Sequence, residues 1–150
     1  MAQSLVKILV HVIFSTKHRR PFLTPSVAAE MGAYLGGMLR EIGCPAIQIK
    51  CVSDHAHILC SLGRRVEIAE LVEKVKTRTS KWVKTRSPDL AEFYWQAGYG
   101  AFSVSASNVD EVRAYILRQE EHHRQRTFQE EFILFLKKHN VEYDERFVWE

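Results

Sequence analysis

Residues 47–62 read Ile47-Gln48-Ile49-Lys50-Cys51-Val52-Ser53-Asp54-His55-Ala56-His57-Ile58-Leu59-Cys60-Ser61-Leu62. Ile47, Ile49 and Cys51 alternate with Gln48 and Lys50 up to a Ser53-Asp54 turn, and His55 to Leu62 runs back. That pattern predicts a β-hairpin. What flanks the hairpin decides the fold. Upstream, Val6, Ile8, Val10, Val12 and Phe14 alternate with Lys7, Leu9, His11 and Ile13. Both faces of this strand are mostly apolar, so it belongs at the centre of a sheet. Thr24-Pro25 then opens a helix with an N-cap and a first-turn proline. Val27, Met31, Leu35, Met38 and Ile42 follow at helical spacing, and Gly43 and Pro45 end it.

Downstream, Ile68, Leu71, Val72, Val75 and Trp82 mark a second helix that stops before Ser87-Pro88. Trp95 to Val104 reads as an aromatic-rich strand broken by Gly98 and Gly100. Asn108 with Glu111 has the pattern of a capping box, opening a helix through Val112, Tyr115, Ile116 and Gln119. Thr127 with Glu130 repeats it for a last helix carrying Phe128, Phe132, Phe135 and Leu136 on one side. The order strand, helix, hairpin, helix, strand predicts an α+β fold. The expected architecture is a ferredoxin-like split βαβ antiparallel sheet with helices on one face, plus C-terminal helices. No repeat or linker divides residues 1–150, which read as one domain.

Composition excludes several classes. The longest apolar run, Ile8 to Phe14, is interrupted by His11 and is too short to span a bilayer. The N-terminus lacks the pattern of a signal peptide, so a cytoplasmic protein without membrane contact is expected. Cys44, Cys51 and Cys60 are odd in number with no close pair, which argues against disulfides and structural zinc. The net charge of +3 is modest but unevenly spread. Eight Lys or Arg face three Glu between Arg64 and Arg86, a second basic cluster spans Lys17-His18-Arg19-Arg20, and residues 120–150 are acidic. Such segregation suits a polyanion on one face, and an ordinary solvated helix face is the competing reading.

His55-Ala56-His57 is the sharpest local feature. Residues two apart on a strand project from one face, so both imidazoles can reach one ion. Asp54 stands close enough to accept a hydrogen bond from one ring and fix its tautomer. Gln119 is the candidate third ligand, one helical turn from Tyr115 and on the same helix face. Two imidazoles and an amide are neutral, so a bound cation keeps its full charge for polarising a phosphodiester. Tyr115 is the candidate nucleophile, and a phenol with a pKa near ~10 needs activation. Otherwise Tyr115 is an aromatic at the edge of the core. His122-His123 is expected to be solvated at a helix end.

These residues together resemble a family. Asp54-His55-Ala56-His57-Ile58-Leu59, Thr16-Lys17-His18-Arg19-Arg20-Pro21, Trp95-Gln96-Ala97-Gly98-Tyr99-Gly100-Ala101-Phe102-Ser103-Val104 and Tyr115-Ile116-Leu117-Arg118-Gln119 look, in order, like the single-tyrosine HUH transposases of small insertion sequences (TnpA type). The resemblance implies a DNA transposase that cuts and rejoins single-stranded DNA through a 5′-phosphotyrosine. It makes Tyr115 the nucleophile and His55, His57 and Gln119 the ligands of Mg2+ or Mn2+. It implies a homodimer acting on single-stranded DNA hairpins at the ends of a mobile element. Lys17, Arg19, Arg20, Lys76, Arg78 and Lys81 are then candidate phosphate contacts, whereas Trp95, Tyr99 and Phe102 are expected to pack in the core or a dimer interface, with stacking on unpaired bases as the alternative. The alternatives are a domesticated or non-catalytic hairpin-DNA binder of the repeat-associated kind, and a metal-dependent phosphodiesterase that uses water.

Overall fold

The computed structural model describes residues 2–119, 121 and 125–150, so His122-His123 lies outside the described residues. Four strands, β1 (Leu9–Ser15), β2 (Ala46–Cys51), β3 (His55–Ser61) and β4 (Gly100–Val104), form one sheet in the order β2-β3-β1-β4. Every neighbouring pair is antiparallel. This is the ferredoxin-like topology expected from the hairpin and its flanking helices. β1 is central and buried along its whole length, as its two apolar faces require.

The two faces have separate cores. Val10, Val12, Phe14, Ala56, Ile58 and Cys60 pack under α1 (Pro25–Glu41) and α2 (Ile68–Lys84). On the opposite face Ile13 and Phe102 pack with Phe128, Phe132 and Leu136 of the last helix, α4 (Phe128–Lys138). Between them in sequence, α3 (Val109–Leu117) lies against β2 and β3. The register sets the histidine face: Ile13 pairs with His57 and Ser15 with His55, so His11, Ile13, Ser15, His55 and His57 share the side that α4 covers.

Local signals hold at most helix ends. Thr24 Oγ1 accepts from Val27 N at 3.3 Å, and Gly43 beyond α1 adopts φ 79°, a left-handed conformation suited to glycine. Thr127 and Glu130 form the capping box that opens α4. Asn108 does not: its side chain caps nothing, and a short 3-10 turn (Ala106–Asn108) leads into α3 instead.

Two strands are shorter than their sequence patterns. β1 starts at Leu9, leaving Val6 and Ile8 about half exposed. β4 starts at Gly100, because Gln96 replaces regular pairing beside Ser15: its N–H donates to Ser15 O, and its side-chain Oε1 accepts from Ser15 N. Trp95 forms an isolated backbone bridge to Thr16, and its ring packs edge-on against Phe14 of β1 at 4.7 Å.

Candidate active site

His55 and His57 face the same way from β3, as a period of two dictates, with ring centroids 5.1 Å apart. Both are fully buried. Their outer nitrogens differ in partner. His55 Nδ1 lies 2.8 Å from Asp54 Oδ1, the contact expected from the sequence. His57 Nδ1 lies 2.8 Å from Nε2 of His11 on β1. Burial first, and then the neighbouring His57, hold the His11 pKa well below its ordinary value, so His11 is a neutral imidazole.

The inner nitrogens meet groups from the far end of the chain. His57 Nε2 lies 2.9 Å from Glu131 Oε1, and His55 Nε2 lies 3.9 Å from the same oxygen. Glu131 projects from α4 and is 3% exposed. Its second oxygen, Oε2, accepts from the Tyr115 hydroxyl at 2.5 Å. One carboxylate thus joins an imidazole and the phenol, all within this chain. Burial alone would raise the Glu131 pKa. Hydrogen bonds from His57 and Tyr115, with the charge on the histidines, outweigh it and hold the carboxyl at about 2. The ionised carboxylate can only accept, so His57 Nε2 carries a proton here.

Gln119 lies just past the end of α3, is fully buried and places Oε1 3.1 Å from His55 Nε2. Its Nε2 is 3.5 Å from Tyr115 O, which sets the amide's direction. His55 Nδ1 donates to Asp54, so a neutral ring would present a lone pair at Nε2 to the lone pairs of Gln119 Oε1. Two such atoms at this separation suit something positive between them, either a proton or a metal ion. The ligand atoms of His55, His57 and Glu131 lie within 4.8 Å of one another. With Gln119 they offer two nitrogens and two kinds of oxygen, a mixed set that suits Mn2+ and accommodates Mg2+.

Tyr115 is half-buried, its ring centroid 6.0 Å from that of His57. Burial first, and then the Glu131 charge and hydrogen bond, push its pKa well above the usual phenol value. In this arrangement it is therefore a hydrogen-bond donor. Its conversion to a nucleophile requires that the negative field of Glu131 be offset.

The basic residues fall into two groups. Lys17, Arg19 and Arg20 follow β1 directly, in a turn where Thr16 N donates to Asp54 O at 2.8 Å, and their cations lie over the rings of Tyr94, Trp149 and Phe22. Lys76, Arg78 and Lys81 lie on α2, across the sheet from the histidines. Lys81 is exposed, and Arg78 reaches Glu41 at 3.3 Å. Lys76 Nζ donates to the carbonyls of Gln96, Ala97 and Gly98 at 2.7, 3.3 and 2.6 Å, and burial pulls its pKa to about 8. It ties down the segment before β4 and has little capacity left for a phosphate. Trp95 and Phe102 are buried.

Sequence reasoning brought together His55, His57, Gln119 and Tyr115, and the structure places all four at one centre. It missed His11 and Glu131. The available signals were a histidine inside the otherwise apolar run Leu9 to Phe14, and an acid on the apolar stripe of α4, three residues after Phe128 and four before Phe135.

Residues 4–119 match the family described as Transposase IS200 like. The ISDra2 transposase TnpA of Deinococcus radiodurans is 25% identical over 114 residues, covering 73% of this chain and 81% of that protein. A crystal structure of a candidate transposase from Deinococcus radiodurans R1 superposes with a TM-score of 0.62 at 20% identity, covering 79% of this chain and 98% of that one. The REP-associated tyrosine transposase bound to a REP hairpin superposes with a TM-score of 0.61 at 11% identity, covering 82% of this chain and 73% of that one. At these identities the two solved structures show a shared fold. Among the described residues no helix is long and apolar enough to cross a membrane. The family match spans well over half of the sequence, so this chain belongs to the IS200-like transposases.

Proposed function

We propose that this transposase cuts and rejoins single-stranded DNA through a covalent 5′-phosphotyrosine at Tyr115, next to a divalent cation held by His55, His57, Gln119 and Glu131. The observation that carries this reading is the shared carboxylate: Tyr115 donates to Glu131 Oε2 at 2.5 Å while Glu131 Oε1 lies 2.9 Å from His57 Nε2. A phosphate gripped between the histidines would then lie within the phenol's reach. In the reaction the Tyr115 oxygen loses its proton to solvent and bonds to phosphorus, the P–O3′ bond breaks, and the departing 3′-oxygen takes up a proton from solvent to leave as a hydroxyl. The tyrosyl phosphodiester resembles the bond it replaces, so a 3′-hydroxyl can later attack it and rejoin strands. Water would discard that bond.

The chain's own groups divide the work. His55 and His57, aligned by Asp54 and His11, present their inner nitrogens to the cation site. Glu131, accepting from the Tyr115 hydroxyl, keeps the phenol protonated until the site is charged. Lys17, Arg19 and Arg20, in the turn that Thr16 joins to Asp54, bind the DNA backbone. Arg78 and Lys81, across the sheet, contact a more distant part of the substrate. The bound cation, Mg2+ or Mn2+, supplies Lewis-acid polarisation of the phosphate and offsets the Glu131 charge. Tyr115 reaches the histidines of its own chain, which favours action in cis. The substrate is a DNA hairpin and the working unit a homodimer, as the family resemblance implies.

The test is a hairpin oligonucleotide with a labelled flank, incubated with protein and Mn2+ and resolved on a denaturing gel. A covalent protein–DNA band is expected. Tyr115→Phe should remove that band while hairpin affinity stays within a few-fold. An adduct that persists in Tyr115→Phe sinks the nucleophile. Binding without any product supports a hairpin-binding protein without chemistry, and product without adduct supports a water-using phosphodiesterase.

A further inference from the structure

We infer that His11 is a positioning residue for the metal ligand His57, holding the proton on His57 Nδ1 so that the Nε2 lone pair faces the cation site. The inference rests on the proposed cation site and adds to it a residue that none of the sequence motifs singled out.

A neutral imidazole carries one proton, and whichever nitrogen holds it cannot bind a metal. For His57 the inner nitrogen is Nε2, 2.9 Å from Glu131 Oε1. A cation there must displace the Nε2 proton, and the ring then has to keep its proton on Nδ1. Nδ1 lies 2.8 Å from His11 Nε2. His11 is 1% exposed on the central strand, its ring edge-on to Phe135 at 5.2 Å. A polar group buried this deeply costs free energy unless it is hydrogen-bonded. Its bond to His57 accounts for its presence among valines.

The partner's chemistry matters as well. Asp54 beside His55 can only accept. A His11 nitrogen can donate or accept, according to where the ring carries its proton. His11 can therefore satisfy His57 Nδ1 both when Nε2–H is bonded to Glu131 and when a cation has replaced that proton. A carboxylate at position 11 would satisfy only the second state. It would also add a second buried negative charge to a centre that already holds Glu131. A neutral acceptor fixes the tautomer without that charge.

The experiment measures Mn2+ affinity of the whole protein from the EPR signal of free Mn2+, with circular dichroism as the check on folding. Four proteins are compared: wild type, His57→Ala, His11→Phe and His11→Gln. His57→Ala should lose the site. His11→Phe keeps a ring but no acceptor, and should bind roughly 10- to 100-fold more weakly, the usual cost of removing such a partner. His11→Gln puts an amide oxygen near the former Nε2 and should recover to within a few-fold of wild type. Unchanged affinity in a folded His11→Phe, or no recovery in His11→Gln, overturns the role of His11 and leaves the cation site standing. No binding by wild type, or unchanged binding by His57→Ala, defeats the site itself and the inference with it. Should His11→Phe fail to fold, long-range 1H–15N spectra of the Mg2+-loaded wild type decide. A proton on His57 Nδ1 supports the inference, and a proton on Nε2 refutes it.

Discussion

Gly100→Ala tests how the sheet and α4 set the position of the carboxylate. A Cβ built at Gly100 would lie 2.6 Å from Phe132 Cε2 and 3.0 Å from Cζ, and 3.1 Å from Phe102 Cε2. Ordinary contact needs about 3.5–4.0 Å, so the Phe132 ring or its helix must retreat by roughly 1 Å. The ring has little freedom to swing, because it is 4% exposed and packs on Phe128 at 5.6 Å and Trp149 at 6.0 Å. Overpacking of this kind costs about 1–3 kcal/mol. Replacing glycine recovers about 0.4–1 kcal/mol through the unfolded chain. The net is a loss of roughly 1–2 kcal/mol, or about 2–8 °C in Tm for a chain this long.

Glu131 precedes Phe132 directly, so the same displacement pulls its oxygens off Tyr115 and His57. Thermal melts give the stability, and EPR titration with Mn2+ follows the site. Phe132→Leu in the same chain should relieve the clash, so the two changes together cost at least 1 kcal/mol less than their sum. Additive losses, or a Gly100→Ala variant as stable as wild type with full Mn2+ affinity, would refute the reasoning.

Other outcomes follow from the same geometry. Thr127→Ala removes the capping-box hydroxyl of α4 and should cost about 1 kcal/mol, read by urea unfolding. Glu131 titrates at about 2 in the folded chain against 4.5 unfolded, so it contributes stability above about pH 4.5 that is lost as the pH falls through 2. Acid unfolding of Glu131→Gln should therefore be flatter than wild type across that window, and parallel curves would contradict it. Lys81→Ala should reduce the slope of log affinity for DNA against log salt by roughly 0.7–0.9. Lys76→Met should leave that slope unchanged and lower stability by about 1–3 kcal/mol, because three carbonyls lose their donor.

Much of this was legible in the residues. The hairpin is readable because strand periodicity and its turn are local, and β1 is readable because burial on both faces leaves few polar positions. His55 and His57 converge through nothing more than the period of a strand. Glu131 could not be found that way. Its partners lie 74 and 16 residues away, and helical spacing alone makes it an acid misplaced on an apolar stripe. His11 looked like an interruption of a strand, since its meaning depends on which β3 residue the register sets beside it. The late start of β4 was hidden for a related reason. Gln96 imitates a strand carbonyl with its side chain, which no pattern of apolar residues encodes. Asn108 carries the right letters for a cap, but the 3-10 turn before α3 takes it out of capping geometry.

The link from β3 to α4 has a bearing on how the molecule assembles. Joining His57 to Glu131 closes a loop of 74 residues, which costs roughly 4 kcal/mol of chain entropy before any contact repays it. Local pairing of β2 with β3 carries no such cost, so the histidines can be arranged before their anionic counterpart arrives. The polar centre is complete only once α4 has docked, which makes its integrity a sensitive reporter of native long-range packing.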